Sequence, residues 1–385
     1  MMRTHLLPAL LALSALLAQP ALTRAEDIRI GLAEALTGPA SQYGVPIRNG
    51  FILAQDAINA KGGINGNRIV LVEEDERGKK EEAINVYKKL IFQDKVLLAF
   101  GPTLSNSMFA AGPIANSARV VAFGTSNTAS GITDIGPYIF RSSPMEADVV
   151  PVTLKTAIRH LKLHQVGIIY GNDDAFTKSG YDVFKQALEA EHIAVVDTET
   201  YAKGDVDFKA QLTKLKAAQP DAIICPCLSE EGANILLQAR ALGIKVSFIG
   251  GNGFNSPKLL ENAKSAAEGT IVGSPWFDGN PSPENQHFIA AYRKKYGTDP
   301  NQFSAQGYDA LFIVANALRK IKLTGQLEQD RQALRDALPA IQFDGATGHF
   351  AFRPAPPHNG KPGGYDADQT PFVYIVNHGK FTLLK

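Results

Sequence analysis

Cysteine is nearly missing from this sequence: 385 residues carry two, far from the composition of a disulfide-built scaffold. An excess of one charge is missing too. Thirty-nine Lys/Arg stand against 38 Asp/Glu, a formal net charge of +1, so no overall basic field points to nucleic acid or an anionic membrane surface, and any ligand selection must be local. After the N-terminal stretch, no apolar run approaches the roughly 18 residues that suggest a membrane span. No solenoid repeat, heptad array or low-complexity linker occurs, although residues 354–364 form a Pro/Gly-rich loop. Walker A, G-x-G-x-x-G after a strand, G-x-S-x-G and H-E-x-x-H are all absent, which leaves nucleotide cofactors, a nucleophile elbow and a zinc-protease site without support.

What remains is an ordinary globular composition, 45% hydrophobic and 20% charged with 34 Gly and 22 Pro, long enough for two to three domains with buried cores. The first residues set the expected compartment. Arg3 and His5 precede a short apolar stretch from Leu6 to Leu17, and Thr23-Arg24-Ala25 places small residues at the minus-three and minus-one positions, the pattern of a secretory signal cleaved after Ala25. Removing Arg3 and Arg24 leaves 37 basic against 38 acidic groups. An exported, periplasmic protein is expected. Cys225 and Cys227 flank Pro226 at the end of the apolar run Ala222-Ile223-Ile224; a disulfide across this spacing would be strained in an extended segment. They read as two small buried hydrophobes, with export leaving a bond possible.

Short apolar runs alternate with longer amphipathic ones. Strands are predicted at 28–33, 69–73, 96–100 and 120–123, with helices near 48–59, 80–93 and 105–117 between them. A second series follows Pro144: helix 149–161, strand 166–170, helix 179–190, strand 194–200, helix 207–218, strand 222–225, helix 231–242 and strand 247–250. This is α/β patterning with two doubly wound parallel sheets. Helices at 284–296, 309–323 and 329–337 and strands at 348–352 and 372–377 return to those two units. Hinge closure around a ligand in the cleft between lobes is the expected motion.

Several stretches resemble the type I periplasmic solute-binding proteins of ABC transporters, in the branched-chain amino acid (leucine-isoleucine-valine-binding) family. Thr37-Gly38-Pro39, Gln42-Tyr43-Gly44 and the run from Ala57 to Gly66 carry the resemblance most specifically. Gly101-Pro102, residues 125–133, 172–176 and 239–243, and Gly307-Tyr308-Asp309-Ala310 follow in the family's order. The resemblance implies two lobes joined by three crossovers near 142–146, 276–278 and 347–350. It divides the chain into a signal peptide (1–25), a first lobe (26–144 with 278–348) and a second lobe (145–277 with 349–385). It also implies a monomeric, non-enzymatic receptor without cofactor or metal, serving a permease.

By the same resemblance, Ser105, Ser126, Asn127 and Thr128 hold a ligand carboxylate through hydroxyls and main-chain N–H groups. Ser105 opens a helix, where unpaired N–H groups and the dipole favour an anion; a helix cap and turn chemistry are the plain alternatives. Tyr43 and Phe176 are expected as cleft walls, Phe176 lacking the hydroxyl of the usual tyrosine. Trp276 sits near the second crossover, in packing or ligand contact. Asn252 stands where amino-acid-binding members carry an acid for the ligand's ammonium. An ammonium buried without a carboxylate partner costs several kcal/mol, so the expected ligand is a small carboxylate with an apolar or aromatic body, an aromatic or 2-oxo acid. A branched-chain or aromatic amino acid is the alternative, with Asp173 or Asp174 supplying the charge.

A hydrolase or a receptor's sensory domain would share the fold. None of the eight histidines falls in a predicted cleft loop, and a receptor would need a partner chain for its membrane span. His160 and His164 have i, i+4 spacing but read as residues of a helix's last turn. The acidic run Glu73 to Glu76 reads as a solvated strand end.

Overall fold

The computed structural model describes residues 27–384; the expected signal peptide lies outside the described residues. The first unit runs β1 (Ile28–Glu34), α1 (Ser41–Ala60), β2 (Ile69–Asp75), α2 (Lys80–Lys88), β3 (Ala99–Phe100), α3 (Ser105–Ser117), β4 (Ala122–Gly124) and β5 (Ile139–Arg141). The second runs α4 (Glu146–Leu161), β6 (Gln165–Gly171), α5 (Ala175–Ala190), β7 (Ala194–Tyr201), α6 (Lys209–Ala217), β8 (Ala222–Cys225), α7 (Ser229–Ala241), β9 (Ser247–Gly250), α8 (Pro257–Ala263) and β10 (Ile271–Ser274). The chain then returns through α9 (Pro283–Tyr296), α10 (Gln302–Lys320), α11 (Leu327–Ala337), β11 (Gln342–Gly345), β12 (Gly348–Pro354) and β13 (Tyr365–Asp368), and ends in β14 (Phe372–Asn377) and β15 (Lys380–Leu383).

Two sheets result, with orders β11-β12-β13-β5-β4-β3-β1-β2 and β15-β14-β10-β9-β8-β6-β7. The βαβ parts are parallel, as the alternation requires, and each sheet gains an antiparallel edge: β11 on β12 and β12 on β13 in the first, β10 on β14 and β14 on β15 in the second. Parallel strands buried on both faces read as continuous apolar runs. Phe100, Phe123 and Phe140 on neighbouring strands of the first sheet accordingly stack beneath Phe51 of α1.

The third crossover departs from expectation. Residues 349–368 belong to the first sheet, because Gly345 and Gly348 pair across a hairpin that brings β12 straight back along β11. So short a turn cannot carry the chain to another lobe. Asp309 of α10 fixes the turn, accepting from Ala346 N at 3.0 Å and from Thr347 N and Oγ1, both at 2.7 Å. The chain crosses instead between β13 and β14, at residues 369–371.

Cys225 and Cys227 form a disulfide, correcting the expectation of two unbonded buried residues. The segment is not extended: Cys227 N donates to Cys225 O at 2.8 Å, and this tight turn leaves the Cα atoms 5.2 Å apart, within disulfide reach. Glu76 corrects the reading of the acidic run. It is fully buried, accepts from Ser107 Oγ at 3.0 Å and Thr103 N at 3.3 Å, and burial pushes its carboxyl up to about 7. His160 and His164 do not share a helix, since α4 ends at Leu161. No described helix is long and apolar enough to cross a membrane.

Candidate functional site

The C-terminal ends of the parallel strands in both sheets face one cleft, where an open α/β sheet places its ligand. From the first lobe, β3 leads through Gly101-Pro102 into α3. Gly101 has φ +86°, and a Cβ there would lie 1.9 Å from Ala33 O, so glycine is required for the chain to pass β1. No side chain caps α3, whose N-cap residue is Leu104; its first-turn N–H groups lie at the cleft end of the helix. Ser105 Oγ accepts weakly from Ala129 N at 3.4 Å, and Ser126 Oγ donates to Thr103 O at 2.7 Å. The loop after β4 is pinned from below by the buried Arg141, which donates to Asn127 O, to Ala129 O and, at 2.6 Å, to Asp366.

The lobes meet across this cleft. Tyr43 Oη of α1 donates to Gly253 O at 2.9 Å and accepts from Ser229 N at 2.8 Å, both in the second lobe. Asn106 of α3 grips the start of α5, its Nδ2 donating to Asp174 and its Oδ1 accepting from Ala175 N at 2.9 Å. Between these contacts an inner cavity of about 20 Å³ is lined by Tyr43, Thr103, Leu104, Ser105, Ser126, Phe176, Leu228, Asn252, Gly253 and Phe303. None of these side chains is charged.

Five of the eight expected residues therefore line one cavity: Tyr43, Ser105, Ser126, Phe176 and Asn252. The other three do not. Asn127 spends its amide on Pro102 O at 2.9 Å and Thr103 O at 3.3 Å, holding the loop. Thr128 turns behind the cavity, its Oγ1 donating to Glu146 at 3.4 Å. Trp276 is buried in the first lobe's core against Phe288, and its indole N–H donates to Asn285 at 2.8 Å, which makes it a packing residue beside the second crossover. Asp173 and Asp174 are also spoken for: Asp174 caps α5 through Phe176 N and Thr177 N, and Asp173 accepts from Lys203 N.

Asn252 is held by α10. Its Oδ1 accepts from Gln302 Nε2 at 2.7 Å, and Gln302 Oε1 in turn accepts from Asn255 and Ser274. Its Nδ2 is left as a donor. Sequence reasoning missed Glu146, the first residue of α4, whose buried Oε1 accepts from Asn252 N at 2.9 Å while Oε2 has no partner among the described residues. Burial pushes this carboxyl up to about 7. The available signal was an acid in the first crossover, but acids at helix starts are ordinarily solvated. Phe303, packed at a tilt against Tyr43 with centroids 5.0 Å apart, was missed because α10 begins seven residues before its predicted start.

Two lobes with strand ends and helix N-termini converging on a closed, uncharged cavity define the class of two-domain solute-binding proteins. The chain belongs to the periplasmic binding protein family, which it matches over residues 27–364, and to the branched-chain amino acid group of these type I receptors of ABC transporters. The Leu/Ile/Val-binding protein BraC3 of Rhizobium johnstonii is 28% identical over 311 residues, 80% of this chain and 84% of that protein. The crystal structure of LivJ, a branched-chain amino acid substrate-binding protein from Streptococcus pneumoniae in complex with isoleucine, is 29% identical with a TM-score of 0.83, covering 92% of this chain and 97% of that one. A solute-binding protein from R. palustris in complex with benzoate, 20% identical, shares the fold at a TM-score of 0.81 over 93% and 95% of the two chains.

Proposed function

We propose that this protein captures a small monocarboxylate with an apolar or aromatic body in the interlobe cleft and delivers it to an ABC permease. The observation that carries this reading is the inner cavity itself: hydroxyls of Ser105 and Ser126 at the uncapped start of α3, apolar walls of Leu104, Phe176 and Phe303, and no carboxylate in its lining. Hydroxyls and helix N–H groups donate to an anion without needing a cation. Asn252 Nδ2 adds a donor where an ammonium would require an acceptor.

One observation favours an amino acid instead. Glu146 Oε2 is buried and unpartnered directly behind Asn252, and a rotation would offer it to an ammonium group. The two readings separate in a thermal-shift experiment on ligand-stripped protein with aromatic and 2-oxo acids in one panel and branched-chain and aromatic amino acids in the other. A ligand at 100 times its Kd contributes about 2.7 kcal/mol. Stabilisation by the acids, unchanged in Glu146→Gln and lost in Ser105→Ala, is the expected result. Stabilisation by amino acids alone, abolished by Glu146→Gln, rejects the carboxylate reading in favour of the amino acid.

A further inference from the structure

Beyond the inner cavity the cleft opens into a second chamber of about 280 Å³ between the lobes. The two share Tyr43, Leu104 and Leu228, which form a collar between them. Their sizes differ in a way that matters. An inner space of about 20 Å³ holds little more than one water, whereas a dry cavity of about 150 Å³ accepts benzene. The closed lobes thus leave room beside Ser105 and Ser126 for a head group, and the room for a body lies on the other side of the collar.

We propose that the outer chamber is a second compartment of the ligand site, and that it selects monocarboxylates whose apolar body is long enough to pass the Tyr43–Leu104–Leu228 collar. This rests on the carboxylate reading above and adds the shape of the ligand to it. The chamber continues from the collar onto Pro39 and Ala40 of the first lobe and Val206 of the second, an apolar path facing the cleft. Its charged lining residues balance, Arg77, Lys79 and Lys203 against Asp205, Glu230 and Glu231, so the chamber offers no net charge to a second ionised end and suits a neutral one. Tyr43 bridges to Gly253 O and Ser229 N across the collar, so a body passes the collar only when those two hydrogen bonds break. Rotating the Tyr43 ring merges the two spaces, and the ligand's body then takes the place of the ring.

The test is a calorimetric titration of stripped protein with benzoate, phenylacetate, 3-phenylpropanoate and 4-phenylbutanoate, repeated on Val206→Trp. Val206 is 71% exposed, so the larger side chain fills the chamber without entering a core. Affinity should rise at least tenfold along the series, and Val206→Trp should remove that gain. A flat series, or a gain that survives Val206→Trp, overturns the proposal while leaving the carboxylate reading in place. If none of the acids binds and leucine does, the carboxylate reading falls and the proposal with it.

Discussion

Five buried carboxyl groups, Glu34, Glu76, Glu146, Glu231 and Asp309, have pKa values above the ordinary range, in each case chiefly because burial disfavours the charged form. Glu146 and Glu76 are pushed up to about 7, Asp309 to about 6, and Glu34 and Glu231 are raised as well. Glu34 also feels the Glu76 charge, and its Oε1 has no partner among the described residues. Because these folded-state values exceed the unfolded ones, the native state binds more protons than the unfolded state between about pH 4.5 and 7. Their contribution is full below that window and is lost as the pH rises through it. The ligand-free protein should therefore melt several degrees higher at pH 5.5 than at pH 8, with the difference reduced in Glu76→Gln; a Tm that is flat or rises with pH would contradict this assignment. Asp75, held low by hydrogen bonds from the Thr37 hydroxyl and neighbouring N–H groups, and Asp221, held low by the N–H groups of His164 and Gln165, act on the acid side of this window. None of these raised carboxyls was legible from residue type. Glu76 lies in a run of four acids whose other three are partly exposed, and only the packing of Thr103 and Ser107 over it distinguishes it.

At the scale of elements, α1 and α10 pack so closely that glycine is the contact. A Cβ on Gly50 would lie 2.1 Å from Ser304 O, and one on Gly307 would lie 2.3 Å from Ile47 O. An exposed helical glycine replaced by alanine normally gains about 1 kcal/mol. Here the added methyl meets rigid backbone, so Gly307→Ala should instead lose about 2 kcal/mol or more, read as a lower urea midpoint at unchanged slope. The same glycine explains why the start of α10 was misplaced: Gln302-Phe303-Ser304-Ala305-Gln306-Gly307 lacks an amphipathic period, and its helix is set by the Asn301–Ser304 capping box and the buried side of α1. Elements with clear periodicity fared better. Helix α3 and strands β8, β9 and β14 match their expected bounds, whereas β5, β10, β11, β13 and β15 went unseen. These are three or four residues long, and β13 reads Tyr-Asp-Ala-Asp, its Asp366 buried only because Arg141 lies opposite it.

For the whole molecule, polar contacts close the cleft: Tyr43 to Gly253 and Ser229, Asn106 to Asp174 and Ala175, Ser256 to Gln42 at 3.0 Å, Ser130 N to Ser179 at 2.9 Å and Gln302 to Asn252 at 2.7 Å. A hydrogen bond contributes only about 1 kcal/mol net, so removing one such clasp should shift the balance of open and closed forms. Asn106→Ala should enlarge the ligand-free radius of gyration in small-angle scattering, and saturating ligand should restore the closed value. An unchanged radius without ligand would show that Asn106 is not part of the clasp. The sequence by itself determined the class and the layering, because alternating strands and amphipathic helices can bury their apolar faces only as doubly wound sheets. It also indicated Tyr43, Ser105, Ser126, Phe176 and Asn252, which lie in or beside loops at the strand ends that the topology turns toward one cleft. What only the tertiary structure decided are the facts that depend on which distant groups share a place. These include the bonding of Cys225 to Cys227, the third crossing at 369–371, the withdrawal of Trp276 and Asn127 into packing, and the burial of Glu146 behind Asn252. Each follows from close approach and desolvation, which act on neighbours in space and leave no local pattern in the chain.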